Sequence, residues 1–157
     1  MKIRRCLHQL FSSLALSAMS VLSAGCDLHT SDNGDLDGFW QLTQMDTLAT
    51  NRSGDMLESR IYWSVQGNML EMRDLHNLHG VDCYLTLNFR FRHEQGKLYL
   101  SEPIANIRDI SDSVVTSPAT VKFYGLSRLD EEFDVLQLDG AQMRLQSAYY
   151  RFHFRRY

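Results

Sequence analysis

Proline is almost missing from this chain, with two in 157 residues. Its scarcity leaves glycine, asparagine and aspartate to mark the turns. Cysteine is nearly as rare, at three: Cys6, Cys26 and Cys83. If the first two are committed elsewhere, one thiol remains, and a disulfide-built scaffold is excluded. Stability must then come from an apolar core. No stretch approaches the roughly 20 consecutive apolar residues that a membrane-spanning helix needs. Helix periodicity is missing too, apart from "SRLDEEF", where Ser127 could cap a single short turn. Also lacking are a Gly-x-Ser-x-Gly elbow, a phosphate loop and a His-Glu-x-x-His helix, so the common signatures of hydrolases and nucleotide enzymes are excluded.

The first residues read as an export signal: Lys2, Arg4 and Arg5, a mildly apolar stretch from Leu14 to Leu22, then small residues before Cys26. The sequence "LSAGC" resembles the lipobox of bacterial lipoproteins, with Leu22 one place earlier than usual and Ser23 in its place. That resemblance implies cleavage after residue 25 and acylation of Cys26, whose several acyl chains would anchor the protein firmly to a bilayer. Three of the 16 Lys and Arg residues and none of the 19 Asp and Glu lie in residues 1–25, so the remainder carries 13 against 19, a net of −6. A chain with that balance is not a nucleic-acid partner, because phosphate backbones are held by clustered positive charge.

Residues 26–36 are polar and acidic, too poor in apolar surface to order themselves, and read as a flexible tether. About ten such residues reach at most roughly 35 Å. Residues 37–157 are then one domain.

Within that domain, alternation with period two dominates. In "CYLTLNFRFRH", Cys83, Leu85, Leu87, Phe89 and Phe91 face one way and Tyr84, Thr86, Asn88, Arg90 and Arg92 the other. "RIYWSVQ" and "MLEMRD" flank Gly67-Asn68 as a hairpin, and Glu94-Gln95-Gly96 turns into "KLYLSE". Further strands are expected at "DGFWQLTQMD", near "VKFYGL", at "FDVLQLD", and in "QMRLQSAYYRFHFRRY", the last with a bulge or break. The fold class is all-β. About eight strands in an antiparallel meander would leave two exposed edges unless the sheet closes into a barrel. A two-sheet β-sandwich is the alternative.

Gly38-Phe39-Trp40 at the head of the first strand resembles the Gly-x-Trp signature of lipocalins and the wider calycin group. "GFWQL" near the start and "FHFRRY" at the end resemble small lipocalin-like lipoproteins of Gram-negative gut bacteria. The resemblance implies that first and last strands pair, that Trp40 plugs one end of the barrel, and that Arg155 or Arg156 packs over it. It also implies a cell-envelope location, lipid-anchored at the outer membrane on its periplasmic or surface face. The triplets at Asp46–Leu48 and Asp112–Val114, "DTL" and "DSV", resemble an O-glycosylation acceptor of such bacteria, which would modify Thr47 or Ser113 in loops.

Candidates for chemistry are few, and neither catalysis nor a cofactor is expected. His76, His79, Asp82 and Cys83 bring metal-ligand types together, but their spacing fits no zinc pattern, and polar loop residues beside an apolar strand position explain them. The run Asp130, Glu131, Glu132, Asp134 reads as a solvated turn. Two functions fit. Trp63, Met69 or Met72, Phe89, Phe91, Phe152 and Phe154 could line a pocket for a small apolar or amphipathic ligand, or could simply fill the core. Alternatively, long polar connections at Thr47 to Ser59 and Ile104 to Thr120 could present loops to an envelope protein or glycan.

Overall fold

Side chains in β5 (Leu85–Glu94) alternate as expected, with Leu87, Phe89 and Phe91 buried and Arg90 and Arg92 exposed. The computed structural model describes residues 31–76, 85–107 and 111–157. Among these residues there are ten strands: β1 (Gly38–Thr47), β2 (Arg52–Asp55), β3 (Ile61–Gln66), β4 (Met69–Asp74), β5, β6 (Lys97–Ile107), β7 (Ser111–Val114), β8 (Glu131–Leu138), β9 (Gln142–Gln146) and β10 (Tyr150–Arg156). Each pairs antiparallel with its neighbour in the order β10-β9-β8-β6-β5-β4-β3-β1, and β10 returns to β1. Eight strands therefore close a barrel. The other two extend it, β2 on the far half of β1 and β7 on the far half of β6. The sandwich alternative is thereby excluded.

Turn chemistry sets the hairpins. Gln95 and Gly96 both take positive φ, 52° and 74°, matching the twist of a tight hairpin between β5 and β6. Ser147 joins β9 to β10, its hydroxyl accepting from the backbone N–H of Tyr149 and Tyr150 at 3.3 and 3.2 Å. The long C-terminal run is thus broken into two strands. Thr47 to Ser59 and Ile104 to Thr120 are not loops throughout, since β2 occupies the first and the rest of β6 with β7 the second.

"VKFYGL" is not a strand. Residues Pro118–Val121 form the short helix α1, and Lys122–Tyr124 continue it as a 3-10 turn. The Ser117 side chain accepts from Ala119 N–H and Pro118 stands at the first helical position, the two strongest start signals for a helix. Ser127 caps no turn either. Residues 127–130 are a bend whose amides point at Glu131, as described below.

The compact unit that holds the barrel runs from Ser31 to Tyr157, so residues 31–36 of the acidic segment belong to it. Asn33 donates its side-chain N–H to Gly67 O at 2.8 Å, and Asp37 accepts from Ser31 Oγ at 2.5 Å and Asn33 N at 3.0 Å. Leu36 is buried. The distal part of the acidic segment is therefore part of the barrel's cap.

Candidate functional site

Trp40 and Leu42 point inward from the near half of β1, and Met45 from its far half. At the near end the indole is fully buried and donates Nε1–H to Leu36 O at 2.9 Å. The Arg156 guanidinium lies over the ring, 4.6 Å from its centre, and donates to Asp37 O at 2.8 Å and Asp35 O at 2.7 Å. Gly38 makes this approach feasible. Its φ is +133°, and a Cβ there would stand 2.6 Å from Arg156 Nη1. The Gly-x-Trp pattern thus has a local cause: glycine clears the path by which the last strand's arginine reaches the first strand's indole. β1 and β10 carry that arrangement by direct pairing, with Trp40 opposite Arg156 and Leu42 opposite Phe154.

A family model described as a lipocalin-like domain matches residues 20–157. The chain belongs to the lipocalin-like family. Two solved structures share the fold of this lipocalin-like protein. One is a lipocalin-like protein from Bacteroides uniformis ATCC 8492, at 20% identity and a TM-score of 0.59, over 79% of this chain and 100% of that one. The other is an uncharacterized protein from Bacteroides eggerthii DSM 20697, at 18% identity and 0.53, over 77% and 98%. No curated protein matches the chain in sequence.

Arg156, not Arg155, covers the tryptophan. Arg155 points outward and donates to Gln41 Oε1 at 3.0 and 2.7 Å. Arg156→Ala is expected to cost about 1–2 kcal/mol, from a lost cation–π contact and two hydrogen bonds, and to red-shift Trp40 fluorescence. Arg155→Ala should change denaturation midpoints less and leave the emission unmoved. Equal effects of the two would contradict the geometry.

The residues expected to line a pocket are instead packed on one another. Trp63, Met72, Phe89 and Phe152 have no exposure, and Phe154 and Phe91 very little. Met69 is only half-buried, so Met72 is the inward methionine. The Trp63 ring lies 4.8 Å from Phe154, 5.8 Å from Phe133 and 6.0 Å from Phe152. Such separations are those of tilted and edge-to-face aromatic pairs in filled cores.

The far end of the barrel is covered by a segment that sequence periodicity did not reveal. Val121, Tyr124 and Leu126 are buried core members. The Tyr124 hydroxyl is pushed well above the usual range by burial and by the nearby charge of Asp74, while a backbone hydrogen bond from Asp74 works the other way. Gly125, at φ +78°, fits directly against Met45 Sδ and the Phe152 ring.

His153 faces outward on β10 and meets Asp46 of β1, Nε2 to Oδ2 at 2.8 Å. Burial opposes ionisation of Asp46 most strongly of any single influence. Hydrogen bonds from Gln44, Ser53 and His153, together with the imidazole's charge, outweigh it and hold the carboxyl at about 2, against a usual 3.8. Because the folded value is depressed, the associated stability is complete above about pH 4 and is lost as pH falls towards 2. Asp46→Asn should therefore flatten the decline of melting temperature between those limits relative to wild type. An unchanged slope would show that Asp46 does not titrate as described.

Other expected sites fall variously. His76 is exposed, its backbone N–H donating to Asp74 Oδ1 at 2.9 Å, while His79, Asp82 and Cys83 lie outside the described residues, as does Cys26. Thr47 is not in a loop: it is half-buried in β1, paired with both Tyr150 and Arg52. Ser113 is exposed, on β7 opposite Ala105. Nor is the acidic run a solvated turn throughout. Glu132 and Asp134 pair with Lys97 across the strand, whereas Glu131 points inward and is buried.

Proposed function

We propose that this lipocalin-like protein is a lipid-anchored component of the bacterial cell envelope, acylated on Cys26 and held at the outer membrane, whose barrel is a filled scaffold rather than a carrier. Its working surface is then the outer face and rim, presented to an envelope protein or glycan. The observation that carries this reading is the interior. The fold is compatible with ligand binding, but Trp63, Met72, Phe89, Phe133 and Phe152 occupy the barrel's inside with no exposure. Trp40 and Tyr124 are buried beneath caps at opposite ends. A cleft of about 440 Å³ lies on the outside beside β2, lined by Thr43, Ser53 and Leu57. Of the two glycosylation candidates, Ser113 has the exposure that a bulky modification needs.

Native mass spectrometry of protein purified from its host tests all of this together. The expected mass is that of the chain from Cys26 onward plus acyl groups, with any further mass mapping to Ser113 and no retained small molecule. A co-purifying apolar compound of fixed mass would overturn the filled-scaffold reading. An N-terminus without acyl groups would overturn the anchor.

A further inference from the structure

β6 pairs with β8 only over Lys97–Leu100, after which β7 takes its edge. Where β8 begins, the sheet therefore leaves a cleft on the barrel's flank, of about 240 Å³, with Arg92, Tyr99, Arg128, Glu131 and Glu132 among its walls. Most of those charges already have partners. Arg92 lies over the Tyr99 ring at 4.9 Å and is tied to Glu94 at 2.6 Å, and Glu132 is paired with Lys97.

Three charged groups of the lining remain, the exposed Asp130 and the neighbours Glu131 and Arg128. Glu131 is an inward residue whose side chain is 1% exposed. Its Oε2 accepts three hydrogen bonds, from Ser127 N at 2.7 Å, Ser127 Oγ at 2.9 Å and Arg128 N at 3.1 Å. Its Oε1 is buried and accepts none. A buried carboxylate oxygen without a donor is costly, and a native fold retains one where something else supplies the donor. Arg128 Nη2 stands 3.9 Å from Oε1, within reach of ionic attraction but beyond a hydrogen bond. The Arg128 side chain is 65% exposed, so it can move with little resistance. One cleft thus holds a buried acceptor without a hydrogen-bond donor next to an exposed donor fork.

We propose that this flank cleft binds the zwitterionic head of a free α-amino acid. Its ammonium donates to Glu131 Oε1 while its carboxylate accepts from the Arg128 guanidinium. The α-amino acid carries the two opposite charges on one carbon, matching an acceptor and a donor that are adjacent in space. A metal is a poorer occupant, because no set of three metal-ligating side chains converges among the described residues. The cleft lies outside the barrel, so a filled interior does not obstruct it.

The test is calorimetric titration of the full chain in detergent micelles with glycine, L-serine and L-glutamate, using methylammonium and acetate as single-charge controls. The zwitterions are expected to give saturable heats and the controls to bind at least about tenfold more weakly, as losing one charged partner predicts. Arg128→Gln, at an exposed side chain, should weaken glycine binding by about the same factor without lowering the melting temperature. Glu131→Gln should do so too, if near-ultraviolet circular dichroism shows it folded. The proposal is overturned if none of the three amino acids gives more heat than acetate, or if Arg128→Gln binds glycine as wild type does.

Discussion

Trp63→Ala is expected to remove about 3–5 kcal/mol of stability, a large part of the roughly 5–15 kcal/mol that holds a typical domain folded. The indole is fully buried on β3 and touches three phenylalanines that reach it from β8 and β10. Its removal leaves a void that rigid strands on all sides cannot collapse into. Trp63→Phe should recover more than half of the loss, since most of the apolar volume returns. Urea denaturation followed by circular dichroism reads both. A loss below about 1 kcal/mol for Trp63→Ala would mean that the ring borders open space, and would favour an interior ligand over the filled scaffold.

Gly125→Ala should cost about 2–4 kcal/mol, combining left-handed backbone strain with overpacking. The position has φ +78°, and an added Cβ would meet Met45 Sδ and two atoms of the Phe152 ring, each at 3.0 Å. The ring does not yield easily, because Phe152 has no exposure and is fixed in turn by Trp63 and Phe133. Gly96→Ala is the internal control. Its φ of +74° is nearly the same but nothing lies within 4 Å of an added Cβ, so it should show the strain of roughly 1–2 kcal/mol alone. Comparable losses at the two sites, measured by denaturant midpoint, would show that the segment after α1 does not press on the seam.

The barrel strands were legible because each has one buried face, and period two records that directly. β2, with the sequence RSGD, and β7, with SDSV, were not. Strands attached to a barrel edge outside the core have no apolar face to declare them. For α1 the signal was present in Ser117 and Pro118, but four residues are too few for helix periodicity to register. The choice between the two arginines was also available. Phe152, Phe154 and Arg156 share parity, and the buried face of β10 is theirs. Glu131 shares parity with Phe133 in the same way, yet sequence weight went to the charge of its neighbours rather than to its register. What one sequence could not supply was the meeting of residues distant along it: Gly125 against Met45, and Asp46 against His153.

The seam itself constrains when the molecule can fold. Thr43 donates its hydroxyl to His153 O across β1 and β10, two residues 110 positions apart. Closure therefore needs contacts of the highest sequence separation in the domain, a topology that folds slowly because the loop entropy is spent before the contacts form. A partly synthesised chain has β1 without β10, an unpaired edge, and no lid for Trp40. It stays open until its final strand is available. Under the envelope location proposed above, which requires the chain to cross a membrane extended, slow and terminal closure would be an asset, since the pairing that seals the barrel would postpone sealing until transport is over.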